Sequence, residues 1–329
     1  MATIKDVAKL AGVHPSTVSR VIDNNPRITT ATKDKVLAAM KELKYKPNAI
    51  ARSLANQSKT KIVGVIFAND NERLFHNPFF TRVTSSISAY AQDHGYFIMH
   101  GHSREEEKEI NILKKLVNSR WVDGVILTTV RKSDKCVAYL NEVNMPYVVI
   151  GTAENTHGKY TVDNDNMVAM YSATKRMIQK GYERICFIGG SLEFTVNEDR
   201  CEGYKRAMDD ANLHYDDSMM YFKDDSEQCG EQGMEKFLEK IVPEAVVTTD
   251  DLIAYGACQR GHDKFGEYIP VIGFNNTPVS MYRNPAFSSV DIFSDKLGKC
   301  AAKLLIDQLE DNEIASSHQI VKTELVIRE

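Results

Sequence analysis

The 329-residue sequence contains no C-x-x-C pair, no G-x-G-x-x-G or G-x-x-x-x-G-K-[ST] glycine fingerprint, and no G-x-S-x-G or H-E-x-x-H signature. Each absence closes a class of chemistry. Its six cysteines are scattered, several among apolar neighbours, so they read as reduced fillers and not as a zinc site or a disulfide frame. His100-Gly-His102 has strand-type spacing but no third ligand nearby, and no metal or cofactor is expected. The stretch FIGGS, residues 187–191, follows a strand pattern yet reads as a tight strand-to-loop turn, because the phosphate-cradling glycines are missing. No run approaches the ~18 apolar residues of a membrane span. The N-terminal MATIKDVAKL lacks the apolar core of a signal peptide, so the expected location is cytoplasmic.

What is present suits a multidomain globular protein. The length exceeds one domain, and 43% hydrophobic residues can fill the cores. The charge is uneven. Residues 1–60 hold eleven Lys and Arg against four Asp and Glu, a net of +7, whereas the remainder holds thirty against forty-one, a net of −11. A basic head on an acidic body points to a head that meets a polyanion, unless the head is only a solvated basic surface.

In the head, Thr3 can cap a helix whose Asp6 reaches back in a capping box, with Ile4, Val7, Ala8 and Ala11 as its apolar stripe and Gly12 as its stop. His14 then takes a cap position and Pro15 the first helical position, where a missing N–H costs nothing. Val18, Val21 and Ile22 fall on one side of this second helix, leaving Ser16, Thr17, Ser19 and Arg20 on or near the other. A third helix is expected over residues 30–43, with Val36, Leu37, Met40 and Leu43 buried. A generic three-helix bundle shows the same periodicity. A helix-turn-helix adds a second helix of small polar residues and Arg that enters the major groove. Arg can pair bidentately with guanine, and hydroxyls can reach bases or phosphates.

Next comes YKPNAIARSLANQSKTK, residues 45–61, with an extended Lys46-Pro47, an asparagine cap and a small-residue helix over 49–54. That helix is too short to be stable alone. TIKDVAKLAGVHPSTVSRVIDN followed by KELKYKPNAIARSLA resembles the DNA-binding domain and hinge helix of the LacI/GalR family of bacterial transcription regulators. The resemblance implies DNA contacts from Thr3, Pro15, Ser16, Thr17, Ser19 and Arg20 in the head and from Asn48, Ala51, Arg52 and Leu54 in the hinge. It makes Leu54 the wedge that enters a central base step in the minor groove. Leu54 packing on its own domain is the alternative. His14 departs from the family's usual serine cap.

From residue 61 onward, apolar strand patterns at 62–67, 96–99, 124–127, 147–150, 185–188, 245–247 and 271–274 alternate with amphipathic helices. The α/β alternation implies parallel sheets covered by helices, with ligand at the carboxyl ends of the strands. By itself it fits a dehydrogenase or a sugar kinase equally well. The body is similar to the family's effector domain, which implies two periplasmic-binding-protein-like lobes joined by three crossovers near residues 161, 291 and 322. The implied divisions are 1–46 for the helix-turn-helix domain, 47–60 for the hinge, and 61–329 for effector binding and dimerisation. The N-lobe then takes about 61–161 and 292–321, and the C-lobe about 162–291 and 322–329.

NPFF, VDNDN, FIGG, DRCEGY and TTDD together resemble the maltose operon repressors of low-GC Gram-positive bacteria. This resemblance implies a saccharide site that includes Asn77, Phe79, Asp163, Arg200, Asp250, Asn275 and Asp291. Arg200 reaches sugar hydroxyls, Asp250 is a polar ligand at a strand end, and Phe79 or Phe274 stacks on sugar rings. Each residue also has a plainer role: a surface ion pair for Arg200, a helix cap for Asp250, core packing for Phe79, and hinge ordering for Asp163 and Asp165. GFNN departs from the family's commoner Gly-Phe-Asp-Asp at Asn275. The implied whole is a homodimeric, sugar-responsive repressor on a palindromic operator, with no C-terminal heptad segment to make a tetramer. The competing classes are a ligand-binding protein without DNA function, which leaves the basic head unexplained, and a sugar-modifying enzyme, which lacks a visible acid/base pair.

Overall fold

The computed structural model describes residues 2–46, 59–68, 77–152, 160–266 and 268–328. The chain divides into two compact units, Met1–Thr60 and Lys61–Glu329. In the first, the described residues form α1 (Ile4–Ala11), α2 (Pro15–Ile22) and α3 (Thr30–Glu42). Thr3 N donates to an Asp6 carboxylate oxygen at 2.8 Å and Asp6 N donates to Thr3 Oγ1 at 3.3 Å, closing the capping box. Gly12 ends α1 in the left-handed region at φ 67°, where a side chain would be strained. His14 Nδ1 accepts from Ser16 N at 3.3 Å, so an imidazole does the work of a capping hydroxyl. Val7, Ala8, Val18, Val21, Val36 and Ala39 make a small core. Leu37 corrects the expected stripe of α3: it is 47% exposed, and Ala39 takes the inward place beside Val36, three residues away on the same face.

The second unit holds two six-stranded sheets among the described residues. The first is built from β1 (Ile62–Phe67), β2 (Phe97–His102), β3 (Gly124–Leu127), β4 (Tyr147–Ile150), β5 (Tyr160–Asp163) and β11 (His318–Ile320). Its order is β11-β5-β4-β3-β1-β2, all parallel. The second is built from β6 (Ile185–Gly189), β7 (Met220–Phe222), β8 (Ala245–Thr248), β9 (Val271–Phe274), β10 (Ser288–Asp291) and β12 (Glu324–Val326). Its order is β12-β10-β9-β8-β6-β7, parallel except for β12. Central strands such as YVVI and AVVT are buried along their length, as helices on both faces of a parallel sheet require. Among the helices, α4 (Pro78–Asp93) and α12 (Ser294–Leu309) pack on the first lobe, and α7 (Asn166–Gln179), α8 (Thr195–Asp210), α9 (Glu227–Lys240) and α10 (Asp251–Phe265) on the second. The intervening α5 (Glu106–Asn118) and α6 (Lys135–Glu142) belong to the first lobe, and α11 (Pro278–Tyr282) to the second.

The chain passes between lobes after β5, after β10, and between β11 and β12. These passages are tied to one another. Val321 N donates to Asp163 O at 2.8 Å, and Asn164 Nδ2 donates to Ile292 O at 3.2 Å and to Val321 O at 2.7 Å. Among the described residues, no helix is long and apolar enough to cross a membrane.

Candidate functional site

On the head, burial of Val18 and Val21 turns the opposite face of α2 outward. Ser16 and Arg20 are exposed there, and Pro15, Thr17 and Ser19 are half-buried beside them. Thr3, at the start of α1, is also exposed. A short row of hydroxyl donors with one guanidinium fork can bond base edges and phosphate oxygens. Asn48, Ala51, Arg52 and Leu54 lie outside the described residues.

In the body, a cavity lies between the lobes where the carboxyl ends of both sheets meet, the ligand position of open α/β sheets. From the first lobe come Asn77 and Phe79 at the start of α4, Thr128 and Thr129 after β3, Gly151 after β4, and Asp163 at the end of β5. The second lobe contributes Asn166, Asn197, Arg200, Asp225, Thr249, Asp250 and Asn275. Asp250 Oδ2 accepts from Asn77 Nδ2 at 2.9 Å and from Asn275 Nδ2 at 2.7 Å, and Asp250 Oδ1 accepts from Leu252 N at 2.7 Å, capping α10. Asn275 adopts the left-handed conformation, φ 93°, to aim this amide. Arg200 is buried, with Nε donating to Asn166 Oδ1 at 3.0 Å and Nη1 to Thr249 O at 2.7 Å.

Two expectations need correction. Phe274 is fully buried, and the Arg200 guanidinium lies over its ring at 3.8 Å, so the face meant for a sugar is already covered by a cation. Asp291 does not line the cavity. It accepts from Asn276 Nδ2 at 2.9 Å and from Phe293 N at 2.7 Å at the second crossover, a positioning role. Asn77, Phe79, Asp163, Arg200, Asp250 and Asn275 are brought together. Asp163 takes part in the hinge and in the cavity wall at once, accepting from Asn164 N, Asn166 Nδ2 and Thr152 Oγ1. Asn166, Asn197, Asp225 and Thr249 were not read as site residues from the sequence. Gly190 shows why FIGG turns where it does: a Cβ there would fall 2.2 Å from Asp225 Oδ1 and 2.6 Å from Asn197 Nδ2.

The cavity is crowded with acids. Burial, reinforced by the charges of Asp225 and Asp251, pushes Asp250 up to about 8 in spite of its amide donors. Burial also raises Asp163 to about 6, against the hydrogen bonds from Asn164 and Thr152. It lowers Arg200 to about 10, with the surrounding carboxylates resisting. Side-chain carboxyls and amides around one engaged guanidinium accept from and donate to neutral hydroxyls.

Residues 3–48 match the family described as bacterial regulatory proteins, lacI family, and residues 60–328 match periplasmic binding proteins and sugar binding domain of LacI family. The chain belongs to the LacI family. This LacI-family protein is a DNA-binding, sugar-responsive transcriptional regulator and not an enzyme. The HTH-type transcriptional regulator MalR of Streptococcus pneumoniae is 36% identical over 329 residues, covering 98% of this chain and 97% of its own. The MalR regulator of Staphylococcus xylosus is 30% identical over 335 residues, covering 100% and 98%. The solved complex of the transcriptional regulator CelR with cellobiose superposes with a TM-score of 0.77 at 27% identity, covering 100% and 99%. The lac repressor dimer bound to operator and the anti-inducer ONPF shares the fold, with a TM-score of 0.84 at 22% identity over 99% and 98%.

Proposed function

We propose that this regulator is a homodimeric repressor of a maltose or maltodextrin utilisation operon, acting in the cytoplasm on a palindromic operator under the control of a small neutral saccharide. The observation that carries the saccharide reading is Asp250, gripped by amides from both lobes above a buried Arg200. A hydroxyl-rich ligand can replace the Asn77 bond with its own donors and bridge the same two lobes. The free volume is about 60 Å³, well below the ~300–1,000 Å³ of ordinary ligand pockets. Entry of a disaccharide therefore requires the lobes to part and reclose around it, the hinge motion by which an effector shifts a two-state protein. The MalR-named relatives support maltose, whereas the CelR relative supports cellobiose as a second reading. On the head, α2 would read bases through Pro15, Ser16 and Arg20, and the hinge would enter the minor groove through Leu54.

The experiment is operator binding by fluorescence anisotropy against increasing maltose, maltotriose, cellobiose and glucose. A response confined to the α-linked glucosides supports the proposal. A response to cellobiose alone replaces maltose by the second reading, and indifference to every saccharide sinks it.

A further inference from the structure

At the other end of the second sheet, away from the inter-lobe site, a separate cavity of about 210 Å³ opens beside the amino ends of β9 and β10. Its wall carries four cationic residues, Arg176 and Lys180 from the end of α7, Arg283 after α11, and Arg328 after β12. No Asp or Glu is among its described lining residues. In a body whose net charge is −11, that is a local inversion of sign. Two arginines of the wall also carry an unmet donor. The Nε atoms of Arg176 and Arg283 are buried and have no hydrogen-bond partner, although a buried N–H is costly to leave unsatisfied.

Arg283 is nevertheless held in place. Nη1 donates to Pro285 O at 2.9 Å, Nη2 to Gln259 Oε1 at 3.3 Å, and the guanidinium lies 4.7 Å from the Tyr268 ring centre. Arg328 is fixed by Ser280, Phe287 and Asn276. Asp251, whose charge reaches Arg328, has its carboxylate already engaged by Ser289 and Thr277. Arg176 in the last turn of α7 complements the helix dipole, which explains its charge but not its orphaned Nε. A pre-positioned guanidinium among clustered cations is what a planar or tetrahedral oxyanion requires.

The geometry points to this cavity as a binding site for a small phosphate-bearing anion, distinct from the saccharide site. Its volume of about 210 Å³ admits one phosphoryl group with part of an attached ester.

Full-length protein is titrated with inorganic phosphate, with pyrophosphate and with sodium chloride at matched ionic strength, reading calorimetric heat and melting midpoint. Pyrophosphate is expected to bind saturably and to raise the midpoint beyond chloride, as a ligand selective for the native state does. Arg176→Gln, at a partly exposed position that donates no described hydrogen bond, is expected to weaken that binding at least ten-fold, with Arg176→Lys recovering part of it. Equal effects of chloride and pyrophosphate overturn the site, as does undiminished binding in Arg176→Gln. Loss of binding in Arg200→Ala with retention in Arg176→Gln would move the anion to the inter-lobe cavity and also overturn it.

Discussion

Asn77 Nδ2 donates to Asp250 Oδ2 at 2.9 Å, joining the residue that caps α4 on one lobe to the residue that caps α10 on the other. Both side chains are buried, so the bond forms out of reach of bulk water, where a missing partner is expensive. The same carboxylate therefore serves as helix cap and as inter-lobe latch. From the sequence Asp250 reads either as a polar sugar ligand or as a helix cap; the cap is present through Oδ1 and Leu252 N, while Oδ2 is held by the two amides.

Asn77→Ala removes the first lobe's donor and leaves Asp250 with Asn275 alone on that oxygen. The closed arrangement is expected to lose about 1–3 kcal/mol relative to the open one, and the effector-free chain to show a larger radius of gyration by small-angle X-ray scattering. An unchanged scattering profile would mean that the latch contributes nothing to closure.

Arg200→Ala should shift the saccharide response of operator binding to higher concentration by about 1–3 kcal/mol, while operator affinity without saccharide stays at the wild-type value. Arg200→Lys should restore little. A lysine cannot reproduce a planar fork that bonds Asn166 and Thr249 while stacking on Phe274. Dose–response curves for the three proteins side by side decide the point, and full rescue by lysine would reduce Arg200 to a point charge.

Asp250 gives a pH dependence with a definite sign. Its folded-state value is about 8, above the ordinary carboxylate value of 3.8. The native state therefore holds a proton that the unfolded chain releases, and this group's stabilising contribution, complete below about pH 4, is lost as pH rises towards 8. Asp163, raised to about 6, adds to the same trend over a narrower window. Denaturation midpoints from pH 5 to 8 should fall less steeply in Asp250→Asn than in wild type. Parallel slopes would show that Asp250 is ionised throughout.

The head was legible because its signals are local: a capping box, a proline at the first helical position and a stop glycine each act within a few residues. The central strands were legible because both faces are buried. By contrast β5 (YTVD), β7 (MYF), β10 (SSVD), β11 (HQI) and β12 (ELV) were missed, being short, partly exposed or interrupted by polar residues. In β2 the reading stopped at residue 99, because His100-Gly-His102 hides the three residues that complete the strand. Asp225 was missed for a related reason: it follows β7, and without that strand nothing in the sequence places it at a carboxyl end. Phe274 misled because an aromatic at a strand end is open to a ligand only if nothing covers it, and what covers it is 74 residues away in the chain.

Arg20→Ala should weaken operator binding by about 1–3 kcal/mol through loss of a bidentate base contact, and it should weaken binding to random DNA far less. Arg20 is exposed on α2 and the helix packs through Val18 and Val21, so the domain should fold as before. Competition assays with both DNAs read the ratio directly. Equal losses on the two would assign Arg20 to phosphate and not to a base.

Asn164 sits where the three inter-lobe passages meet, and its single amide nitrogen donates to Ile292 O in one and to Val321 O in another while its backbone belongs to the third. Its own N–H donates to Asp163 Oδ1 at 2.7 Å, which orients the turn into α7. Asn164→Ala leaves two buried carbonyls without this donor, at a cost of about 1–3 kcal/mol. Asn164→Asp keeps the shape but replaces the donor with an acceptor against the same two carbonyls, so it should be the less stable of the two in urea denaturation at pH 8. In the proposed mechanism lobe rotation pivots on these passages, and loosening their junction lets more than one lobe angle persist at a given saccharide concentration. Both variants should therefore change operator affinity over a broader saccharide range than wild type. If the aspartate variant matches the alanine variant in stability, the amide is not the donor that fastens the hinge. If both respond to saccharide like wild type, the junction has no part in transmitting the lobe angle.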